Sequence, residues 1–296
     1  MNQARTKKTA AVATLIYRYP LSPEEEISLR HLKHFLGSYD CFVIMPETIS
    51  WEPEGFRIIR EPEKYFRGLR SYNQRMRTRK FYRYFRNYEY ILVYQLDCLV
   101  FQDQLPQWCQ KGYDYIGAPW VADNSGLRNP CEMVGNGGFS LRKVESFLRV
   151  LKRYQSPWNV CKKNLKIFGK ILRYEWNRLW KKEGEVVLRE GKSGGSSWAL
   201  KLREFFRREL KSIMHVAVHA NPDLRAEDVF WALEAKKWDP HFKIAPVEEA
   251  MLFSFDEQPG YWYEKNGRKL PFGCHGWYRQ DRGFWEGYVI KDKRDG

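Results

Sequence analysis

The sequence lacks several features that would assign it to common classes of protein. Its 296 residues contain no apolar run of about 18 residues, so no transmembrane helix is expected. The basic N-terminus runs through a short apolar segment straight into Tyr17 and Arg18, which favours a first strand over a signal peptide. No two cysteines form a C-x-x-C pair, so the sequence does not suggest a zinc ribbon or a thioredoxin motif. The six cysteines stand at positions 41, 98, 109, 131, 161 and 274. We expect them to be reduced thiols in a cytoplasmic protein.

Two nucleotide-binding motifs are also incomplete. The segment "GKS" at 191–193 could end a P-loop, but that motif needs a glycine at position 186, where the chain has Val186. We therefore exclude an ATPase of this type. The glycine-rich segment "GNGGFSLR" at 135–142 does not have the G-x-G-x-x-G spacing, so it does not predict a dinucleotide site.

Apolar residues and positive charge are both plentiful. Hydrophobic residues make up 43% and aromatic residues 16% of the chain, enough for a sizeable core and against extensive disorder. The net charge is +15, which favours anionic partners. Between 152 and 211 there are 17 Lys or Arg and 6 Asp or Glu, a net +11, so about +4 is left elsewhere.

Strand and helix patterns alternate along the first hundred residues. "AVATLIYR" (11–18) predicts a buried strand, and a helix follows with Ser22 as its N-cap and Pro23 at its first position. Residues 71–88 fit a helix and 88–101, "YEYILVYQLDCLVF", a buried strand with a single acid, Asp97. This alternation predicts an α/β fold with a parallel sheet.

Asp97 is the first candidate functional residue. Ligands of open parallel sheets bind at the carboxyl ends of the strands, and a carboxylate buried there needs an ion pair, hydrogen bonds or a metal. Mg²⁺ or Mn²⁺ on a diphosphate would need only one or two protein oxygens. The alternative is a structural aspartate that caps a turn or pairs with an arginine.

Five segments in sequence order carry a family resemblance: "YILVYQLDCLVF", "YDYIGAPW", "GNGGFSLRK", "EDVFW" and "LPFGCHGW". Together they resemble the DUF5672 group of bacterial proteins, which is similar to GT-A glycosyltransferases. The resemblance covers most of 11–151 and 222–280. It implies a GT-A-like (Rossmann-like) mixed, mainly parallel sheet flanked by helices. We expect a single domain over 1–296 that contains a basic amphipathic helical insertion at 152–214.

The resemblance implies transfer of a sugar from a nucleotide-sugar donor to an acceptor hydroxyl, in the assembly of bacterial surface polysaccharide or glycolipid. The acceptor would be a glycan or a lipid-linked molecule. Asp97 and His275 would hold a divalent cation, Mn²⁺ or Mg²⁺. The second acid of the family's D-x-D motif is missing, since Leu99 stands there, and Asp103 is too far along the chain to replace it. For His275 the alternative is a hydrogen-bonded histidine in an aromatic-rich loop.

The resemblance also implies a set of residues around the donor. Arg18 would pair with phosphate, and the glycines would allow close backbone approach to the sugar. A tight turn entering a strand explains the same glycines without a ligand. The predicted donor-binding residues are Tyr17, Arg18, Tyr72, Asn73, Gln95, Asp97, Asn136, Gly137 and Gly138.

Paired acids open the segment "AEDVFW" at 226–231. An inverting transferase needs a general base for the acceptor hydroxyl, and by resemblance Asp228 would be that base while Glu227 orients the acceptor. The alternative is ordinary acidic capping of a helix N-terminus, and the two roles are compatible.

The basic insertion leaves three interpretations open. It could lie on an anionic membrane surface, with Trp158, Phe168, Trp176 and Trp180 at the interface. It could bind nucleic acid, or it could be a helical pair whose apolar stripe packs on the domain. We favour the membrane through 156–212, at the inner face, and do not expect nucleic acid as a partner. The competing functions are a non-catalytic nucleic-acid- or membrane-binding module and an inactive GT-A domain.

Overall fold

The structure is a computed structural model that describes residues 6–120, 133–156 and 226–291. The chain divides into one compact unit of residues 1–152 and 226–296 and a second of residues 153–225. Only residues 153–156 of the second unit are described, so the predicted insertion lies almost wholly outside the described residues. The single domain over 1–296 and the role of the insertion stay predictions.

The described part of the first unit contains nine strands. They are β1 (Lys8–Leu15), β2 (Asp40–Pro46), β3 (Phe56–Glu61), β4 (Tyr88–Tyr94), β5 (Leu99–Val100), β6 (Tyr115–Ile116), β7 (Phe139–Lys143), β8 (Ser254–Phe255) and β9 (Gly273–Cys274).

Ten α-helices are described, with a short 3₁₀ turn at Glu63–Tyr65. They are α1 (Pro23–Leu36), α2 (Leu69–Arg75), α3 (Arg79–Arg83), α4 (Leu105–Gln110), α5 (Val144–Tyr154), α6 (Glu227–Leu233), α7 (Ala235–Trp238), α8 (Val247–Phe253), α9 (Pro259–Lys265) and α10 (Arg282–Glu286).

The central sheet has six strands in the order β3-β2-β1-β4-β7-β6. β1 to β4 are mutually parallel, whereas β7 runs antiparallel to β4 and β6 antiparallel to β7. The predicted fold class, a mixed and mainly parallel sheet flanked by helices, is confirmed. In β4, Ile91, Leu92 and Val93 are fully buried, and each contributes about 2 kcal/mol by burial.

The first helix begins where the sequence predicts. The Ser22 hydroxyl accepts a hydrogen bond from the Glu25 N–H at 3.3 Å, and the Glu25 carboxylate accepts one from the Ser22 N–H at 2.7 Å. Pro23 occupies the first turn, where its missing N–H costs nothing. The capping box thus defines the end of the loop between β1 and α1, and this loop contains Tyr17 and Arg18.

The single helix predicted over 71–88 is wrong, because the chain breaks it into α2 and α3. Thr78 begins the second helix by accepting a hydrogen bond from the Phe81 N–H. Arg75, at the end of the first helix, is drawn inward to a bidentate pair with the buried Glu61. The pairing of Arg75 with Glu61 joins residues 14 positions apart, and helical periodicity carries no signal for it.

A second, three-stranded sheet in the order β5-β9-β8 assembles the site. The segment 88–101 is not one strand, since β4 ends at Tyr94 and β5 belongs to this second sheet. Asp97 lies in the turn between them, and its backbone carbonyl accepts a hydrogen bond from the Trp277 N–H at 3.0 Å. Asp97 lies just before β5, Asp256 directly follows β8, and His275 directly follows β9. The second sheet therefore brings these three side chains together.

No helix within the described ranges is both long and apolar enough to cross a membrane.

Candidate active site

Asp97 is a buried carboxylate that two basic side chains approach. Its side chain is 4% exposed. His275 Nε2 lies 3.4 Å from Asp97 Oδ1, and Arg279 Nη1 lies 3.2 Å from Asp97 Oδ2. No described residue gives either carboxylate oxygen a well-aligned hydrogen bond. Ion pairing therefore has to compensate the burial of this charge.

His275 lies between two carboxylates. Its Nδ1 is 2.9 Å from Asp256 Oδ1, and its Nε2 is 3.1 Å from Gln95 Oε1 in addition to its contact with Asp97. Burial disfavours the charged ring, but the carboxylates of Asp97 and Asp256 outweigh burial and raise the pKa of His275 to about 9. At neutral pH the imidazole is therefore a cation that donates from both nitrogens.

Asn136 has a strained backbone conformation, and its side chain binds Asp256, the partner of His275. Its φ is 58°, in the left-handed region, which costs a non-glycine residue about 1 kcal/mol or more. Its Nδ2 donates to Asp256 Oδ2 at 2.6 Å, and its Oδ1 accepts from the Gly138 N–H at 2.9 Å. Nδ2 also lies 3.0 Å from His275 Nδ1, a packing contact when that nitrogen carries its proton. Asn136 thus orients Asp256, which orients His275.

Gly137 and Gly138 let two functional side chains approach the backbone. A Cβ at Gly138 would lie 2.0 Å from His275 Cδ2, and a Cβ at Gly137 would lie 1.9 Å from Glu227 Oε1. Neither position can hold a larger residue unless its neighbour moves. The two glycines therefore place His275 and Glu227 over adjacent residues of one segment.

Glu227 is an interior residue with an arginine partner. Its side chain is 2% exposed, and its two oxygens accept from Arg142 at 2.7 and 3.1 Å. Arg142 Nη1 also donates to the Tyr82 hydroxyl at 2.9 Å. The Glu227 backbone N–H donates to Asn73 Oδ1 at 3.1 Å. Both predicted residues, Glu227 and Asn73, thus hold the start of α6 in place.

Asp228 is the half-buried acid at the start of α6. Its Oδ1 accepts from the Val229 N–H at 2.8 Å. Burial, and then the neighbouring Glu227 carboxylate, raise the pKa of Asp228 to about 6; Asp256 adds a smaller repulsion. Such a carboxylate is ionised at neutral pH yet more basic than an ordinary aspartate, as a general base must be.

A cavity of about 300 Å³ opens beside Asp97. Five of the predicted donor-binding residues line it: Tyr17, Arg18, Tyr72, Gln95 and Asp97. The Tyr17 and Tyr72 rings lie 6.4 Å apart at its wall. Burial, with smaller effects from the Asp97 and Glu227 carboxylates, raises the pKa of Tyr17, so its phenol stays protonated. The cavity wall combines aliphatic side chains with aromatic and polar ones, and Arg18 and Arg279 are the cations among its lining residues.

Sequence reasoning missed Asp256, Arg279 and Arg142. Arg279 had a signal, because it follows the candidate His275 by four residues in the same loop. Asp256 stands in "FSFDE", where an acid ends an apolar run as Asp97 does. Arg142 had no local signal, since its partner Glu227 is 85 positions away.

The donors present fit the predicted divalent cation only in part. Asp97 and His275 meet as expected, with the Gln95 amide oxygen beside them. Among the described residues no group of three or more His, Cys, Asp or Glu side chains could hold a metal ion. Arg279 already reaches the Asp97 carboxylate. The cation stays a prediction.

Comparison with known proteins gives a family and a distant structural likeness. The family model DUF5672, "Protein of unknown function", matches residues 55–275, well over half of the chain. No curated protein matches the chain. Two crystal structures of the glycosyltransferase GlyE from Streptococcus pneumoniae TIGR4, one of them the apo-form, match with 13% identity and a TM-score of 0.40. The match covers 97% of this chain and 61% of theirs, so the chain spans less than two thirds of their length.

Proposed function

The chain belongs to the DUF5672 family, and we propose that it is a glycosyltransferase. In this proposal it moves a sugar from a nucleotide-sugar donor to a hydroxyl group of a glycan or lipid-linked acceptor. The mixed, mainly parallel sheet with polar side chains at the carboxyl end of β4 supports a ligand site there.

The observation that carries the proposal is the meeting of Asp97 and Arg279 at the wall of the cavity, with His275 against the other oxygen of Asp97. A nucleotide-sugar donor leaves as a diphosphate, on which negative charge grows as the glycosidic bond breaks. Two fixed cations held by a buried acid are preorganised for that charge, and such electrostatic stabilisation commonly contributes more to catalysis than any other effect. The cavity of about 300 Å³ is at the small end of ligand sites.

The aromatic wall suits the nucleoside part of the donor. Tyr17, 41% exposed, presents a ring on which a base can stack and a phenol that can bond a ribose, and the buried Tyr72 ring lies beside it. Arg18 carries a cation at the same wall; its side chain is 66% exposed and lies 3.4 Å from the Glu25 carboxylate. We assign these three residues to the nucleotide and Arg279 to the phosphates.

Asp228 is the proposed general base. It would take the proton of the acceptor hydroxyl as that oxygen bonds to the anomeric carbon and the bond to the diphosphate breaks. Attack opposite the leaving diphosphate inverts the anomeric carbon. The pKa of about 6 supports this role, because the base is then both ionised and basic near neutral pH.

Glu227 and Asn73 are proposed to position the base. The Glu227 carboxylate is engaged by Arg142, and the Asn73 amide oxygen by the Glu227 N–H. Both contacts fix the first turn of α6, from which Asp228 projects. We therefore assign Glu227 the role of positioning Asp228, and we do not assign it a contact with the acceptor.

The test is a panel of UDP-, GDP- and dTDP-sugars, scored by thermal shift and by release of the nucleoside diphosphate. CMP-sugars, which carry one phosphate, are the matched control. We expect one diphosphate donor to stabilise the protein and to be turned over slowly, with water as the acceptor. No binding by any donor would overturn the proposal.

A second candidate, a donor-binding domain without catalysis, is favoured by one observation. Leu99 stands where a second acid of the D-x-D motif would be. Two results together would favour this candidate. The Asp228→Asn variant would bind the donor as well as wild type does, and wild type would transfer no sugar to any acceptor in cell extracts.

A further inference from the structure

Arg279 stands where the cavity meets the buried acid. Its Nη1 lies 3.2 Å from Asp97 Oδ2, and it lines the cavity. Its side chain is 63% exposed, against 4% for that of Asp97. One part of the guanidinium therefore holds a buried carboxylate while the rest remains accessible from the cavity.

The guanidinium keeps donors for a ligand. A guanidinium has five N–H groups in a planar fork that matches carboxylate and phosphate oxygens. Among the described residues, Arg279 reaches Asp97 and, at 3.4 Å, the Tyr278 hydroxyl. The carbon of the guanidinium also lies 5.4 Å from the centroid of the Tyr278 ring, a cation–π contact that uses no N–H group.

This arrangement reproduces the contacts of a bridging cation. A Mg²⁺ ion that joins a protein to a phosphate ligand has a carboxylate on one side and phosphate oxygens on the other. Arg279 has the carboxylate on one side and the cavity on the other. The Asp97 oxygens receive no well-aligned hydrogen bond from the described residues, so the ion pair with Arg279 is the main compensation on the Oδ2 side.

We propose that Arg279 binds the diphosphate of the ligand and holds it against Asp97, so that the site binds a diphosphate without a divalent cation. The inference rests on the proposed function only in identifying the ligand as a nucleotide sugar. Diphosphate binding by itself needs only the cavity and the guanidinium.

The experiment is calorimetric titration with inorganic pyrophosphate and with UDP and GDP, in EDTA and then in Mn²⁺. Wild type is compared with Arg279→Met. The matched control is Arg282→Met, because Arg282 is similarly exposed, pairs with Glu24 and Glu286 and does not line the cavity. We expect wild type to bind pyrophosphate in EDTA, Arg279→Met to bind it at least ~10-fold more weakly, and Arg282→Met to match wild type.

Thermal unfolding shows whether each variant is folded. Should Arg279→Met fail to fold, Arg279→Lys keeps the charge on Asp97 but loses the fork, and an affinity below that of wild type is expected. Equal pyrophosphate affinity in Arg279 variants and wild type would overturn the inference, as would binding by wild type only when Mn²⁺ is present. Arg279-dependent pyrophosphate binding with no response to any nucleotide sugar would uphold it while rejecting the transferase.

Discussion

Asn73 Oδ1 accepts a hydrogen bond at 3.1 Å from the backbone N–H of Glu227, 154 positions later in the chain. The N-cap residue of α6 is Ala226, whose side chain has no hydrogen-bond acceptor, so Asn73 of α2 supplies one. One side chain thus joins the helix that carries Tyr72 to the helix that carries Asp228.

Asn73→Ala should remove this distant cap and leave the Glu227 N–H without its acceptor. We expect a loss of about 1 kcal/mol in unfolding free energy, the usual cost of a lost cap, and lower turnover from a displaced Asp228. Urea denaturation and initial rates measure the two effects. Asn73→Asp keeps an acceptor oxygen and should recover part of both; an Asp variant no better than Ala would contradict the capping role.

Asp228→Asn should make the protein less active but more stable. The folded pKa of about 6 lies above the ordinary value of 3.8, so ionisation destabilises the folded state as pH rises from about 4 through 6. Below pH 4 the acid is protonated in both states and the penalty vanishes. Removing it should stabilise the variant at pH 7 by about 1–3 kcal/mol, and turnover should fall roughly 100-fold or more.

The measurements are unfolding free energy against pH and the pH profile of kcat/KM. Wild-type activity should rise with pH through about 6, the pKa of the proposed base Asp228. Glu248→Gln, an exposed acid in the first turn of α8, is the control and should change neither. Stability of Asp228→Asn that shows the same pH dependence as wild type would reject the raised pKa.

Much of this architecture follows from sequence patterns, and some of it cannot. The apolar run of β4 and the capping signals at Ser22 and Pro23 are local, so strand, helix and the position of Asp97 after a buried strand are predictable. The pairing of Asp256 with His275 and of Arg142 with Glu227 depends on segments 19 and 85 positions apart. Such pairings are set by sheet order, which no short window of sequence contains.

Gly138→Ala should disable the site without disturbing the fold elsewhere. The added methyl would lie 2.0 Å from His275 Cδ2, so the imidazole must leave Asp97 and Gln95. We expect at least ~10-fold weaker donor binding, equivalent to about 1.4 kcal/mol. Gly260→Ala has no atom within 4 Å of its added methyl and is the control. Unchanged binding in Gly138→Ala would show that the position of His275 does not matter.

Arg142→Met should destabilise the protein strongly, because it leaves the Glu227 carboxylate buried without its partner. Breaking a buried ion pair from one side costs about 3–5 kcal/mol. Chemical denaturation should show this loss, and the double variant Arg142→Met, Glu227→Gln should recover part of it. A double variant as unstable as the sum of the single ones would mean that the pair is not energetically coupled.

A crystal structure with the donor that gives the largest thermal shift would locate the diphosphate directly. We expect the diphosphate in the cavity lined by Tyr17, Tyr72 and Asp97, within hydrogen-bond distance of the Arg279 guanidinium. Density for the donor in another groove, such as the one beside Trp108 and Lys111, with the Asp97 cavity empty, would contradict the proposed site.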